Sequence, residues 1–405
     1  MISSETHQPL SIADHGLSPY RPGMGLDPPY LGGREAQIER FQELLRNPSA
    51  ARNLLVTGLR GVGKTVLLNR YSSAAEAAGW LVAEREFSEP DAEPGNFAQT
   101  VLADLVRLTR KVSGGARVRS AAVRAAQAVL EHLGTLSVSH SGIELGVHLQ
   151  RASHTPRRLD DDLRDALEEV ASLCRHGRHP GIVLRYDEFQ VVSERRGAST
   201  LSALLTAVAG AQQHAVPVIL VLCGLPNLLE NVSKAKSYSE RMFIVERLGN
   251  LPSPDDRLAL TEPAARAGRA LGDAVVAAVL KDTAGYPFFI QMYGDALWKG
   301  AADPVIGIED LRRLRPKILQ ALDRGFFEAR YARGSTRERD LLRLIARRGE
   351  SATLRELTED SGLLNNQLQP VISNMLRKGL LFRPSRATLA FTAPMFGAHM
   401  RRRRK

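Results

Sequence analysis

Only two of the 405 residues are cysteine, Cys174 and Cys223. That excludes a disulfide framework and reads as two reduced thiols. Nowhere does the chain reach the roughly 18 to 20 uninterrupted apolar residues that a membrane helix needs. The first residues, MISSETHQPLSIADHG, lack both the basic and the apolar stretch of a secretion leader, so a cytoplasmic protein is expected. There is no internal repeat of 20 to 50 residues and no Ser-His-Asp constellation. Cys174, His176 and His179 have ligand chemistry, but three loop residues without a distant fourth do not make a zinc site. Aromatic residues are only 5% of the chain, against 43% hydrophobic and 24% charged residues. These are the proportions of a globular chain with ample Val, Ile and Leu for a buried core.

Acidic charge is also short, and unevenly so. The chain carries 55 Lys and Arg against 44 Asp and Glu, a formal +11. Residues 335 to 405 hold 15 of those cations and only 6 of the acids, and five of the cations form the run Arg401 to Lys405. The basic character therefore belongs to the C-terminal end, which suits either a polyanionic partner or a solubilising tail.

Residues 1–32 mix Pro, Gly, Ser and His without periodicity, as an irregular arm does. Apolar positions at helical spacing begin with Ile38, Phe41, Leu44 and Leu45. Short apolar runs then alternate with helical stretches: Leu54 to Val56, Leu81 and Val82, Ile182 to Tyr186, and Val216 to Leu222. Strands separated by helices predict an α/β core, a mostly parallel sheet covered on both faces. The core is placed at 33–250, with an insertion at 113–156 that contains a helix near 121–133 and an alternating segment at 137–149. A helical lid is placed at 251–333, a further domain at 334–400, and a basic tail at 401–405.

Within the core, Gly58-Leu-Arg-Gly61-Val-Gly63-Lys64-Thr65 fits G-x-x-x-x-G-K-[ST] without a mismatch, between a strand and a helix. The spacing serves polyphosphate binding. Glycines permit positive φ, the backbone N–H groups of residues 63 to 66 converge on an anion, Lys64 adds charge, and Thr65 offers its hydroxyl to magnesium. The bland alternative is a glycine turn that merely ends a strand. Ile182-Val-Leu-Arg-Tyr-Asp187-Glu188 supplies the complementary pattern, a strand ending in two acids. Asp187 suits the Mg²⁺ shell and Glu188 the attacking water, although paired acids can also cap a loop. Arg185 is out of place in a buried strand and either points to a sheet end or meets an acid.

The order GREAQIERF, GLRGVGKT, IVLRYDEF, VILVLCGLPNLLE and AGYPFFIQMYGDAL resembles the AAA+ ATPases of the origin-recognition and initiator type, and the related STAND signalling ATPases, over about residues 30 to 300. The resemblance implies a P-loop ATPase that uses ATP and Mg, with Gly58, Gly61, Gly63, Lys64, Thr65 and Val66 around the phosphates. It implies a sensor at the end of the strand through Cys223, where no clear Asn, Thr or Ser stands and Asn227 is a weak substitute. It also implies an arginine finger, for which Arg241 is the candidate and Arg247 the runner-up, often supplied by a neighbouring subunit. Gly285-Tyr286-Pro287 resembles the turn by which a lid meets the nucleotide, and Arg34-Glu35 the element that precedes the core near the adenine. No arginine occupies the usual second-sensor position.

In the basic end, helices are expected at 336–346, 353–361 and 366–378, with two short strands between Gly379 and Phe391. This is the winged-helix order, and it resembles the tails of those same ATPases. Arg377, Lys378, Arg383, Arg386 and the run 401–405 are the candidates for DNA phosphates. Gln367, with Asn366 and Gln369, is the candidate for base edges. Winged helices also bind proteins, so the partners left open are double-stranded DNA, a protein, or a second copy of the chain.

Overall fold

The computed structural model describes residues 17–403 except 24, 29, 49–51, 113–115, 136–157, 193–199 and 386. The alternating segment at 137–149, Arg386, Arg404 and Lys405 lie outside the described residues. Two compact units are present. One comprises Arg34–Leu59 and Lys64–Leu248; the other comprises Gly249 onward, the described residues before Arg34, and the short stretch Arg60–Gly63.

The first unit runs α1 (Glu35–Arg46), β1 (Asn53–Gly58), α2 (Lys64–Ala77), β2 (Leu81–Glu86), α3 (Pro94–Lys111), α4 (Ala116–Thr135), α5 (Leu159–Gly177), β3 (Ile182–Asp187), α6 (Thr200–Gln213), β4 (Val218–Gly224), α7 (Asn227–Ala235), α8 (Ser239–Met242) and β5 (Phe243–Leu248). Its five strands form one parallel sheet in the order β2-β3-β4-β1-β5. The central strands β1, β3 and β4 are buried at every position. Continuous aliphatic runs such as VILVLCG are what a strand covered on both faces requires. Leu55, Leu184, Leu220 and Leu222 pack with side chains of α3, α5, α6 and α7. Helix α2 lies against β1, β2 and β3, and its Tyr71 stacks on Phe41 of α1 at 4.4 Å. The expected parallel sheet covered by helices is therefore present.

Arg185 has a simple explanation. It lies opposite Glu84 in the β2–β3 register and donates to that carboxylate at 2.6 Å, while Ser72 of α2 donates to the same oxygen at 3.1 Å. Burial raises the Glu84 carboxyl, and the Arg185 and Ser72 contacts outweigh it, holding it below its ordinary value.

The second unit continues through α9 (Asp255–Arg266), β6 (Ala270–Leu271), α10 (Asp273–Thr283), α11 (Pro287–Gly300), β7 (Val305–Ile306) and α12 (Ile308–Leu322). A π-helical turn, Asp323–Phe327, leads into α13 (Glu328–Ala332). The remainder is α14 (Thr336–Arg347), β8 (Ser351–Thr353), α15 (Leu354–Ser361), α16 (Asn365–Arg377), β9 (Leu381–Phe382), β10 (Thr388–Phe391) and α17 (Phe396–Arg402). Strands β8, β10 and β9 form an antiparallel sheet. Three helices with a strand after the first and a hairpin after the third is the winged-helix arrangement.

Local chemistry sets these boundaries. Ser335 and Glu338 make a reciprocal capping box at the start of α14, Thr353 and Glu356 do the same for α15, and Gly362 ends α15 at φ 67°. Pro370 is the sixth residue of α16, in its second turn, where it removes one helical N–H donor. No helix among the described residues is long and apolar enough to cross a membrane.

The Glu338 carboxylate is buried and receives Lys378 at 2.6 Å and the Ser335 N–H at 2.7 Å. Burial raises its pKa, and the Lys378 and Ser335 hydrogen bonds outweigh that, leaving it below the ordinary range. A depressed carboxyl stabilises the fold above its unfolded pKa, about 4.3, and that stability is lost as pH falls through the folded value. Denaturant unfolding between pH 3 and 7 should show the C-terminal domain weakening at the acid end. Glu338→Gln should cost about 1–3 kcal/mol at neutral pH and flatten the acid limb. An unchanged midpoint would contradict this role.

Candidate nucleotide site and C-terminal basic surface

All the sheet strands run the same way, so Gly58, Asp187 and Gly224 end their strands at one edge of the sheet, the edge where α/β folds bind ligands. From Gly58 the chain turns through Gly61 at φ 85° and Gly63 at φ 90° into α2 at Lys64. Both values lie in the left-handed region open to glycine. A side chain at Gly63 would meet nothing within 4 Å, whereas one at Gly61 would strike the Tyr286 hydroxyl. The first glycine thus serves a close approach and the second a backbone turn beside open space.

Lys64 is 6% exposed and donates from Nζ to the carbonyls of Gly58 and Leu59, each at 3.0 Å. It arches back over its own loop. Thr65 Oγ1 donates to Asp187 Oδ2 at 2.9 Å, which joins the two sequence motifs at one point. Asp187 Oδ1 accepts the Glu188 N–H at 2.8 Å, and Glu188 itself sits at φ 50°. A buried ammonium, a hydroxyl and a carboxylate at a strand edge, next to a glycine turn, fit a magnesium–polyphosphate group.

One neighbour was not recognisable in the sequence. Gln190 Nε2 donates to Glu188 Oε2 at 2.7 Å while its Oε1 accepts the Leu225 N–H at 3.0 Å. It ties the acid pair to the end of β4. Cys223 fills the position where the resemblance implies a polar sensor. Burial pushes its thiol well above the ordinary value, and the Asp187 charge adds to the effect. It is therefore a neutral thiol beside a carboxylate. Asn227 is the first residue of α7, with no side-chain bond to the acid pair among the described residues.

Residues 30–221 match the AAA ATPase domain family. The sheet unit is an AAA+ P-loop ATPase core. Residues 324–400 match a domain family of unknown function, DUF8462. No curated protein matches the chain. Among solved structures, the Walker-type ATPase of Pyrococcus abyssi is similar at 16% identity and TM-score 0.55, over 92% of this chain and 96% of that one. That likeness extends the fold beyond the AAA+ core to nearly the whole chain. The Aeropyrum pernix ORC1 protein in complex with DNA aligns at 17% identity and TM-score 0.44, over 93% of this chain and 94% of that one. The Thermotoga maritima RuvB branch migration motor aligns at 15% identity and TM-score 0.43, over 89% and 92%.

Other expected residues are placed as follows. Arg241 is exposed on α8, with no side-chain partner among the described residues, and Arg247 is exposed on β5. Arg34 is buried just before α1, and Glu35 opens that helix. In the other unit, Pro287 is the first residue of α11 and Tyr286 its N-cap. The buried Tyr286 hydroxyl donates to the Arg60 carbonyl, within the stretch of phosphate loop that belongs to the same unit. Cys174 and His176 lie on the last turns of α5 instead of in a loop, and His179 follows it; His176 contacts the Ser172 carbonyl and His179 the Gly79 carbonyl, both at 2.8 Å.

The C-terminal cations are more occupied than their number suggests. Lys378 is held by Glu338 and the Arg333 carbonyl, and Arg377 bonds Asn374. Arg401 caps the Ala346 and Gly349 carbonyls, Arg402 pairs with Asp323, and Arg403 pairs with Glu328 over the Tyr331 ring. Arg383 lies exposed after β9, with its guanidinium 3.5 Å from Gln369. Gln367 is exposed but accepts the Leu364 N–H as part of the α16 cap, and Asn366 is exposed beside it.

Proposed function

We propose that the protein is a Mg-dependent ATPase that acts as a molecular switch, coupling its nucleotide state to double-stranded DNA binding by the winged-helix domain. The observation that carries the catalytic half is the Thr65–Asp187 hydrogen bond at the mouth of the glycine loop. It puts the two groups that hold magnesium in P-loop enzymes within reach of one ion. Bound magnesium would neutralise developing phosphate charge. Around it, Gly58, Gly61, Gly63 and Val66 offer loop backbone, and Lys64 offers its charge. Glu188, steadied by Gln190, orients and deprotonates water. Tyr286 and Pro287 carry the lid to the nucleotide. Arg241, exposed and without a side-chain partner among the described residues, suits an arginine finger acting on a neighbouring copy, which makes a homo-oligomer the working form.

For the DNA half, the exposed Arg377 and Arg383 are proposed phosphate contacts, together with Lys378 and Arg386, and Gln367 is proposed at base edges. In a gel-shift titration, the full-length protein should bind duplex DNA less tightly as salt rises, and replacing Arg377 and Arg383 with Ala should reduce the slope of log K against log salt by about 2. Binding that survives removal of residues 335–405 contradicts the assignment.

One observation favours a protein partner instead, as in a STAND-like regulator or scaffold. Leu363 and Leu364, at the turn before α16, are 42% and 65% exposed. The same titration separates the readings, because a protein-binding surface would leave duplex DNA unbound.

A further inference from the structure

Arg330, on α13, is 7% exposed. It has no carboxylate partner among the described residues. A buried guanidinium without an acid is costly, and one that persists is expected to fix a relationship between elements. Three groups surround it. Its Nη1 donates to Thr392 Oγ1 at 2.9 Å, its guanidinium lies 4.1 Å over the Phe326 ring, and the Tyr286 ring meets that same Phe326 edge-on at 6.3 Å. Burial drives its pKa down, and the neighbouring Tyr286 opposes that.

Each neighbour leads further. Tyr286 holds the Arg60 carbonyl in the phosphate-loop turn, with Gly61 against its hydroxyl. A trans peptide is planar, so pinning the Arg60 carbonyl also fixes the direction of the Gly61 N–H. That peptide cannot rotate toward a bound anion without changing its bond to Tyr286. At the other end, Thr392 Oγ1 donates to the Gly379 carbonyl at 2.8 Å, and the Thr392 N–H to the Leu380 carbonyl at 3.3 Å. Those two carbonyls form the turn between α16 and β9, where the third helix meets the wing.

The surroundings are stiff. The π-helical turn at Asp323–Phe327 places Phe326 flat on Phe288 at 5.3 Å and Phe327 flat on Phe396 at 5.6 Å, packing α11 to α17 through aromatic rings. π-Helical turns often mark functional positions, and packed contacts of this kind carry coupling between sites.

We infer that Arg330 is a positioning residue that links the phosphate-loop turn at Arg60–Gly61, through Tyr286, to the α16–β9 turn through Thr392. Its nucleotide-dependent half rests on the ATPase reading above, whereas the link itself does not.

Hydrogen exchange on the full-length protein tests both halves. Without nucleotide, Tyr286→Phe keeps the ring and removes the bond to Arg60. It should speed exchange in the 379–392 segment about threefold or more. Arg330→Gln should do the same, and Tyr286→Phe added to Arg330→Gln should change nothing further there. With Mg and ATP, the wild-type 379–392 segment should change its exchange while Arg330→Gln, its ATP binding checked by calorimetry, should not. A Tyr286→Phe variant as protected as wild type, or one whose effect persists in the Arg330→Gln background, overturns the link. ATP binding without any change at 379–392 in the wild type overturns its coupling to nucleotide. Failure of the wild type to bind ATP refutes the ATPase reading, while the nucleotide-free comparison still decides the link. Should Arg330→Gln not fold, Thr392→Val replaces it. That variant must speed exchange at residues 58–63, which Thr392 does not touch, and no change there overturns the inference.

Discussion

Replacing Lys64 with alanine should abolish ATP binding at millimolar nucleotide and cut turnover at least about a hundredfold, the scale of losing one charged donor from a phosphoryl-transfer site. The expectation follows from burial. Lys64 is 6% exposed, and its ammonium is held by only two carbonyls of its own loop. With no acid bonded to it among the described residues, its charge is available to an anion entering the turn. Alanine is a good helix former at the start of α2, so the core should stay folded, as circular dichroism can verify. A Lys64→Ala protein that hydrolyses ATP at the wild-type rate removes the catalytic role from this loop.

The second large effect separates binding from chemistry. Glu188→Gln should leave ATP affinity within a few-fold of wild type and lower turnover by about 10²–10⁴, the usual contribution of a positioned general base. The substitution is conservative for a structural reason. Gln190 Nε2 donates to one Glu188 oxygen at 2.7 Å, and an amide oxygen accepts that bond equally well. What disappears is the ability to take a proton. Parallel measurement of affinity by calorimetry and turnover by phosphate release decides the matter. Equal losses in both would make Glu188 a loop residue that shapes the site.

The sequence carried the central strands because continuous aliphatic runs next to glycine turns have few alternatives. It carried the phosphate loop because positive φ at Gly61 and Gly63 needs glycine. It carried α14, α15 and α16 to within about a residue because each has its own periodicity, and two have capping boxes. The features it did not carry depend on distant partners. Strand β5 is a partly exposed edge without a clear apolar run. Strand β8 is three residues long, and α17 follows a stretch that reads as a hairpin end and a loose tail. Arg185 needed the β2–β3 register to find Glu84. Gln190 looks like an ordinary residue after DEF, and Arg330 like one arginine among many. Its importance arises only when Tyr286 and Thr392 converge on it. Charge counting likewise could not show that Arg401, Arg402 and Arg403 are engaged by carbonyls and acids of their own unit.

Isothermal titration of the purified wild-type protein with ATP, with and without magnesium, bears most directly on the glycine turn as a triphosphate site. The expected result is saturable binding that magnesium strengthens and that Lys64→Ala abolishes. A folded protein that gives no heat of binding with any adenine nucleotide contradicts it.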